Sequence, residues 1–158
     1  NRIFLDKGFY TSLIVKNSDA SANSASRMLY GYSPTNNFGN INPSDHFSKC
    51  FGLAADSSDT NMQVFFKDVN GAGFGITKID TGWAKTNNDV FDIVFFREPN
   101  SSKIFYIIKN VTLNVVLKGF YSFNQSTTGL TLYTYKGSSS NAITTGYYFA
   151  ESKIYTSI

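Results

Sequence analysis

Val90-Phe91-Asp92-Ile93-Val94-Phe95-Phe96-Arg97, then the break Glu98-Pro99-Asn100-Ser101, then Lys103-Ile104-Phe105-Tyr106-Ile107-Ile108, is the stretch on which the fold class turns. Its β-branched and aromatic residues sit in a run too short for a helix, and a proline that lacks a ladder donor closes it. One face reads Val90, Asp92, Val94, Phe96 and the other Phe91, Ile93, Phe95, so both are largely apolar. A strand with two apolar faces is buried inside a sandwich or faces another subunit.

The same grammar continues in both directions. Short apolar blocks are separated by Gly, Asn, Ser and Asp, and no long segment carries a stripe at helical spacing. The remaining strands are predicted at Phe9 to Val15, Arg27 to Tyr32, Lys49 to Ala54, Asn61 to Lys67, Gly73 to Ile79, Thr112 to Tyr121, Leu130 to Tyr135 and a broken Ala142 to Ile154. Asn70-Gly71 suits a hairpin turn, because glycine has no Cβ and asparagine tolerates positive φ. Gly137-Ser138-Ser139-Ser140-Asn141 reads as another turn, and the polar regions 18–26 and 33–47, with Pro34 and Pro43, read as long loops. Together these predict an all-β antiparallel sandwich, and with neither repeat nor linker the whole chain, 1–158, reads as a single domain.

Ser, Thr and Asn supply 49 of the 158 residues, so the polarity comes mostly from uncharged hydrogen-bonding groups, as in secreted, extracellular or virion proteins. With Asn1 first, the chain reads as processed or as a domain excised from a longer protein. Lys and Arg number 14 against 11 Asp and Glu, and the cations are scattered singly, which argues against nucleic acid. The apolar runs, such as Ile93 to Phe96, are far short of the roughly 20 residues that span a bilayer, so no membrane insertion is expected.

Candidate chemistry is sparse. His46 is the sole histidine, beside Asp45 in a loop, and reads as structural or as a surface group rather than as a catalytic base. Cys50, the sole cysteine, excludes an internal disulfide framework and sits in an apolar patch as a small hydrophobe. Asp80, Asp89 and Asp92 are the acids from which a glycosidase pair would be drawn, and their alternative roles are capping and turn formation. Asp56-Ser57-Ser58-Asp59-Thr60-Asn61 concentrates oxygen ligands without the order of a calcium loop, and Gly71-Ala72-Gly73-Phe74-Gly75 lacks the Lys-Ser/Thr ending of a phosphate loop. No metal, no cofactor and no enzymatic activity are expected. Asn100, Asn110 and Asn124 each begin a glycosylation acceptor triplet.

Aromatic content is the informative feature. Fifteen Phe, ten Tyr and Trp83 exceed the needs of one core, so some should face a subunit seam or a ligand. The candidate ligand contacts are Trp83, read as lying in a loop before Val90, with Tyr30, Tyr32, Tyr147 and Tyr148, and the polar Asp80 and Asn87. For each ring a place in the core or an interface is the competing reading.

Asp80-Thr81-Gly82-Trp83, Asn87-Asn88-Asp89-Val90-Phe91-Asp92-Ile93, Glu98 through Tyr106 and Lys109-Asn110-Val111 together resemble the C-terminal β-sandwich modules of bacteriophage tail fibres and tailspikes. Gly137 through Ile143 and Glu151-Ser152-Lys153-Ile154-Tyr155 are similar to the terminal part of that pattern, so the resemblance runs from residue 80 onward, about half the chain. It implies a jelly-roll or lectin-like knob, homotrimeric, at the distal tip of a virion fibre or spike. The function expected is noncatalytic binding of a host cell-surface polysaccharide or other glycan. A purely structural trimerisation cap, a carbohydrate-active hydrolase and a cytokine-like sandwich are the alternatives.

Overall fold

The computed structural model describes residues 2–18, 26–34, 41–70, 73–124, 129–138 and 146–156, with backbone alone at 17–18, 69–70, 73–74, 133–138 and 146–156. The strands are β1 (Arg2–Ile3), β2 (Phe9–Ser18), β3 (Ser26–Ser33), β4 (Cys50–Ala55), β5 (Asn61–Asn70), β6 (Gly73–Ala84), β7 (Val90–Arg97), β8 (Lys103–Asn110), β9 (Val115–Ser122), β10 (Leu130–Ser138) and β11 (Gly146–Thr156). They form a six-stranded sheet in the order β1-β10-β3-β4-β5-β6 and a five-stranded sheet in the order β11-β2-β7-β8-β9. Every neighbouring pair is antiparallel. The chain passes from one sheet to the other after β1, β2, β6, β9 and β10, giving the two-sheet all-β architecture of a jelly-roll sandwich.

The alternation along β7 and β8 explains why the sheets stack. Phe91, Ile93, Phe95 and Arg97 alternate with half-buried neighbours, and Ile104, Tyr106, Ile108 and Asn110 alternate with more open ones. The buried apolar members join Tyr30, Tyr32, Phe51, Leu53, Val64 and Phe66 from the opposite sheet in the main core. Phe51 stands at its centre, stacked on Tyr32 at 5.3 Å and edge-on to Phe95 at 5.1 Å and Phe123 at 5.7 Å, the offset and edge-on geometries that the ring quadrupole favours. A second cluster, Leu29, Cys50, Ala54 and Phe65, lies on the other face of β3–β5. There the Lys67 ammonium donates to the Ser44 carbonyl at 2.6 Å, tying the 3-10 turn Pro43–Asp45 to β5.

The turn chemistry accounts for most boundaries. Ser101 N–H donates to the Glu98 carbonyl at 3.1 Å and Asn100 takes φ 59°, so the break after β7 is a tight turn. The hairpin β5–β6 pairs up to Asn70 and Gly73, while Gly71 and Ala72 lie outside the described residues, as do 139–145 of the Gly137–Asn141 turn and its sequel. Two expectations are corrected. β9 begins at Val115 rather than Thr112, because Leu113 N–H donates to Asn110 Oδ1 at 3.0 Å and Asn114 adopts φ 54°, so a turn occupies 111–114. Trp83 belongs to β6, which runs on to Ala84 past an irregularity opposite Asn61–Gln63.

Candidate ligand-binding surface

Three of the aromatic candidates are core residues. Tyr30, Tyr32 and Trp83 are 0%, 2% and 5% exposed, with Trp83 stacked on Phe91 at 5.9 Å and Tyr32 on Phe51. Rings so enclosed present no open face to a ligand; their area goes into packing. Burial pushes the Tyr32 hydroxyl up to about 12, with the side chain of Thr11 acting in the opposite direction. For Tyr147 and Tyr148 the backbone lies in β11, opposite Asn17 and Lys16, and their side chains lie outside the described residues.

The polar candidates are exposed and locally engaged. Asp80 accepts from Asn61 Nδ2 at 3.0 Å and from Gly82 N–H at 2.8 Å, where Gly82 takes φ 72°. Asn87 lies in the turn after β6, its N–H donating to the Ala84 carbonyl at 3.2 Å. Asp80 thus braces the irregularity between β5 and β6, and Asn87 belongs to a separate turn. Asp89 is buried and accepts from Asn110 Nδ2 at 2.7 Å, and the Asn110 side chain, the acceptor of its glycosylation triplet, is out of reach of solvent. Asp92 stands opposite Lys109 on the outer side of β7.

The oxygen-rich segment 56–61 is filled by lysine. Lys78 Nζ lies 2.5 Å from Asp56 Oδ2 and 2.8 Å from Asp59 Oδ2. Burial acts to lower the Lys78 ammonium, but the hydrogen bonds and charges of Asp56 and Asp59 outweigh it, and its pKa is raised. Lys85, 1% exposed, donates to the carbonyls of Ser26 at 2.9 Å, Asp56 at 2.9 Å and Ser57 at 3.0 Å. Two ammonium groups stand where a cation would sit. Among the described residues no group of three or more His, Cys, Asp or Glu is placed to hold a metal. Cys50 is buried, and desolvation pushes its thiol up to about 12 with Lys67 opposing and Asp56 assisting, the reverse of an activated nucleophile.

The open surface is the outer face of the five-stranded sheet. The register aligns Tyr10 with Phe96, Phe96 with Phe105 and Phe105 with Phe120, so four rings from β2, β7, β8 and β9 form one row across the strands. With strands spaced by about 4.8 Å the row spans about 14 Å. Phe96 and Phe105 are stacked at 5.0 Å and 11°, and Phe120 tilts against Phe105 at 5.9 Å. Tyr10 is 44% and Phe120 53% exposed, so the row leaves aromatic surface open to solvent. A hollow of about 250 Å³ opens here, lined by Phe96, Phe105, Ile107, Phe120 and Lys118, with Tyr106 and Gly119 at its floor. Gly119 makes room beneath β9 for the Tyr106 ring, since a Cβ there would collide with the Tyr106 hydroxyl. Lys103 Nζ sits 4.5 Å above the Phe120 ring, within cation–π range.

None of these row residues was singled out by motif. Their signal was the second apolar face of Val90–Arg97, and only the register of four strands shows that the face is shared.

No family model matches the sequence, and no curated protein matches it. In three dimensions the chain is similar to the enzymatically active domain of tailspike protein 2 of bacteriophage CBA120, with a TM-score of 0.62 at 11% identity over 100% of this chain and 23% of that one. It is similar also to the CBM2 module of the evolved Dit of Lactobacillus casei BL23 phage J-1, with a TM-score of 0.59 at 8% identity over 98% of this chain and 64% of that one. The chain therefore spans less than two thirds of either structure. At these identities the likeness is one of fold, a β-sandwich that occurs within both of these phage proteins. No helix among the described residues is long and apolar enough to cross a membrane.

Proposed function

We propose that this chain is a noncatalytic receptor-binding module of a phage tail fibre or spike, standing at its outer tip and recognising a glycan of the host cell surface. The observation that carries the reading is the exposed row Tyr10-Phe96-Phe105-Phe120 on a sheet face. A sugar ring offers a C–H face that packs on an aromatic ring while its hydroxyls meet polar groups at the rim, so such a row takes successive rings of a chain. The likeness to sandwiches in two phage proteins, one of them a tailspike, supports the setting. The acids considered for hydrolysis lie apart in role, Asp80 bracing the β5–β6 irregularity, Asp89 buried on Asn110 and Asp92 facing Lys109.

A structural role in trimer assembly has its own support. Val111, Leu113, Val115 and Val116 are 44%, 51%, 47% and 52% exposed around the β8–β9 turn, and among the described strands β9 has a neighbour on one side only. Such a patch suits a seam between copies, which would multiply weak glycan contacts by raising their effective concentration. The test is retention on immobilised host surface polysaccharide, compared between the wild-type chain and Phe120→Ala, with light scattering for mass and a reducing-end assay for turnover. Retention by the wild type, its loss in the variant and no new reducing ends support the reading; equal retention of both proteins, or steady release of reducing ends, overturns it.

A further inference from the structure

The charge around the aromatic row names a class of ligand. Beside the rings, the described outer face of the five-stranded sheet carries Lys16 on β2, Lys103 and Lys109 on β8 and Lys118 on β9, against the single carboxylate of Asp92. Asp92 stands opposite Lys109, which leaves Lys103 and Lys118 as the cations nearest the hollow, one above the Phe120 ring and the other in its wall. An ammonium group has three donors and no acceptor, so the ligand atoms that meet it are oxygens, and an ionised oxygen gains most. We infer that the row binds an acidic polysaccharide, whose sugar rings pack along the exposed aromatic carbon of Phe96, Phe105 and Phe120 and whose carboxylates meet Lys103 and Lys118. This rests on the receptor-binding reading and narrows it.

The same charges decide against the other occupants of an apolar sheet face. A second copy docked face to face would bring like-charged lysines together, a cost at any interface. Nucleic acid also combines planar groups with negative charge, but no arginine lies on the described part of this face and the charge excess of the whole chain is +3.

The experiment is affinity electrophoresis and calorimetry of the purified chain with polygalacturonate, with neutral dextran and with single-stranded oligothymidine, each at low and high salt. The wild type is expected to bind polygalacturonate and not dextran, more weakly as salt rises. The double variant Lys103→Gln/Lys118→Gln is expected to lose roughly tenfold in affinity, the scale of one charge-assisted hydrogen bond. Phe105→Ala, checked for folding by circular dichroism, is expected to lose binding at both salt concentrations. Binding to dextran equal to that of polygalacturonate, or an unchanged double variant, overturns the acidic ligand while leaving glycan recognition standing. Preference for the oligonucleotide overturns it in favour of nucleic acid. Failure of the wild type to bind both polysaccharides and the host polysaccharide overturns it together with the receptor-binding reading.

Discussion

Gly31 and Gly52 face each other across β3 and β4, and the space between their strands admits no side chain. A Cβ on Gly31 would collide with the Phe51 carbonyl oxygen, and one on Gly52 would lie 2.5 Å from that of Tyr30. Both obstacles are backbone, so Gly31→Ala must push two central strands apart and is expected to cost about 1–3 kcal/mol, measured by urea denaturation. Lys85 is the opposite case, a side chain whose loss leaves a hole in the polar accounting. In Lys85→Met the carbonyls of Ser26, Asp56 and Ser57 lose the donor they share, and a destabilisation of about 3 kcal/mol should appear in the same assay. Sequence showed the oxygens of 56–61 but not what meets them, because Lys78 and Lys85 come from β6 and just beyond it. Trp83 misled for a related reason: its neighbours Thr81 and Gly82 read as a turn, whereas Thr81 Oγ1 donates to the Met62 carbonyl at 2.7 Å and keeps β6 attached to β5.

At the scale of elements, alternation and turn residues sufficed for ten of the strands, since a period of two and a closing Pro, Asn or Gly are local signals. The short β1 was not legible, as two residues carry no period. The late start of β9 was hidden in a run of β-formers, Val111-Thr112-Leu113, that propensity alone reads as strand. The asparagines on either side hold the answer. Asn110 donates to Asp89 and accepts from Leu113, so Asn110→Ala should loosen the β8–β9 hairpin by about 1–2 kcal/mol and speed amide exchange in β9 before that in β4. Asn114 holds φ 54°, which glycine adopts without strain, and Asn114→Gly is expected to leave the melting temperature unchanged or raise it. A drop of several degrees would show that the Asn114 side chain has a role beyond its backbone angle.

For the whole molecule, burial sets the alkaline limit. The thiol of Cys50 rises from 9.0 to about 12 and the hydroxyl of Tyr32 from 10.0 to about 12, both chiefly through desolvation. The unfolded chain releases these protons first, so the folded state loses ground to it as the pH climbs from about 9 toward 12. Urea midpoints taken from pH 8 to pH 11 should fall, and Cys50→Ala should flatten the onset of that fall while leaving the share due to Tyr32. The sandwich itself was legible from the sequence. The aromatic row was not, because it exists only once β2, β7, β8 and β9 are in register, and no local pattern reports a register between strands so far apart in the chain.

That order of strands also governs how the molecule comes into being. β3 to β6 form a run in which each strand pairs with the next, so this half can zip as it is made. β2 has no such neighbour: its partners are β7 and β11, and Leu13 and Val15 wait for Ile93 and Phe91 to be synthesised. Pairings this distant are slow, of the order of milliseconds to seconds once the chain is complete, and during translation β2 remains a bare apolar edge. The strand that later carries Tyr10 to the aromatic row therefore waits for its partners longer than β3 to β6 do while the protein is made.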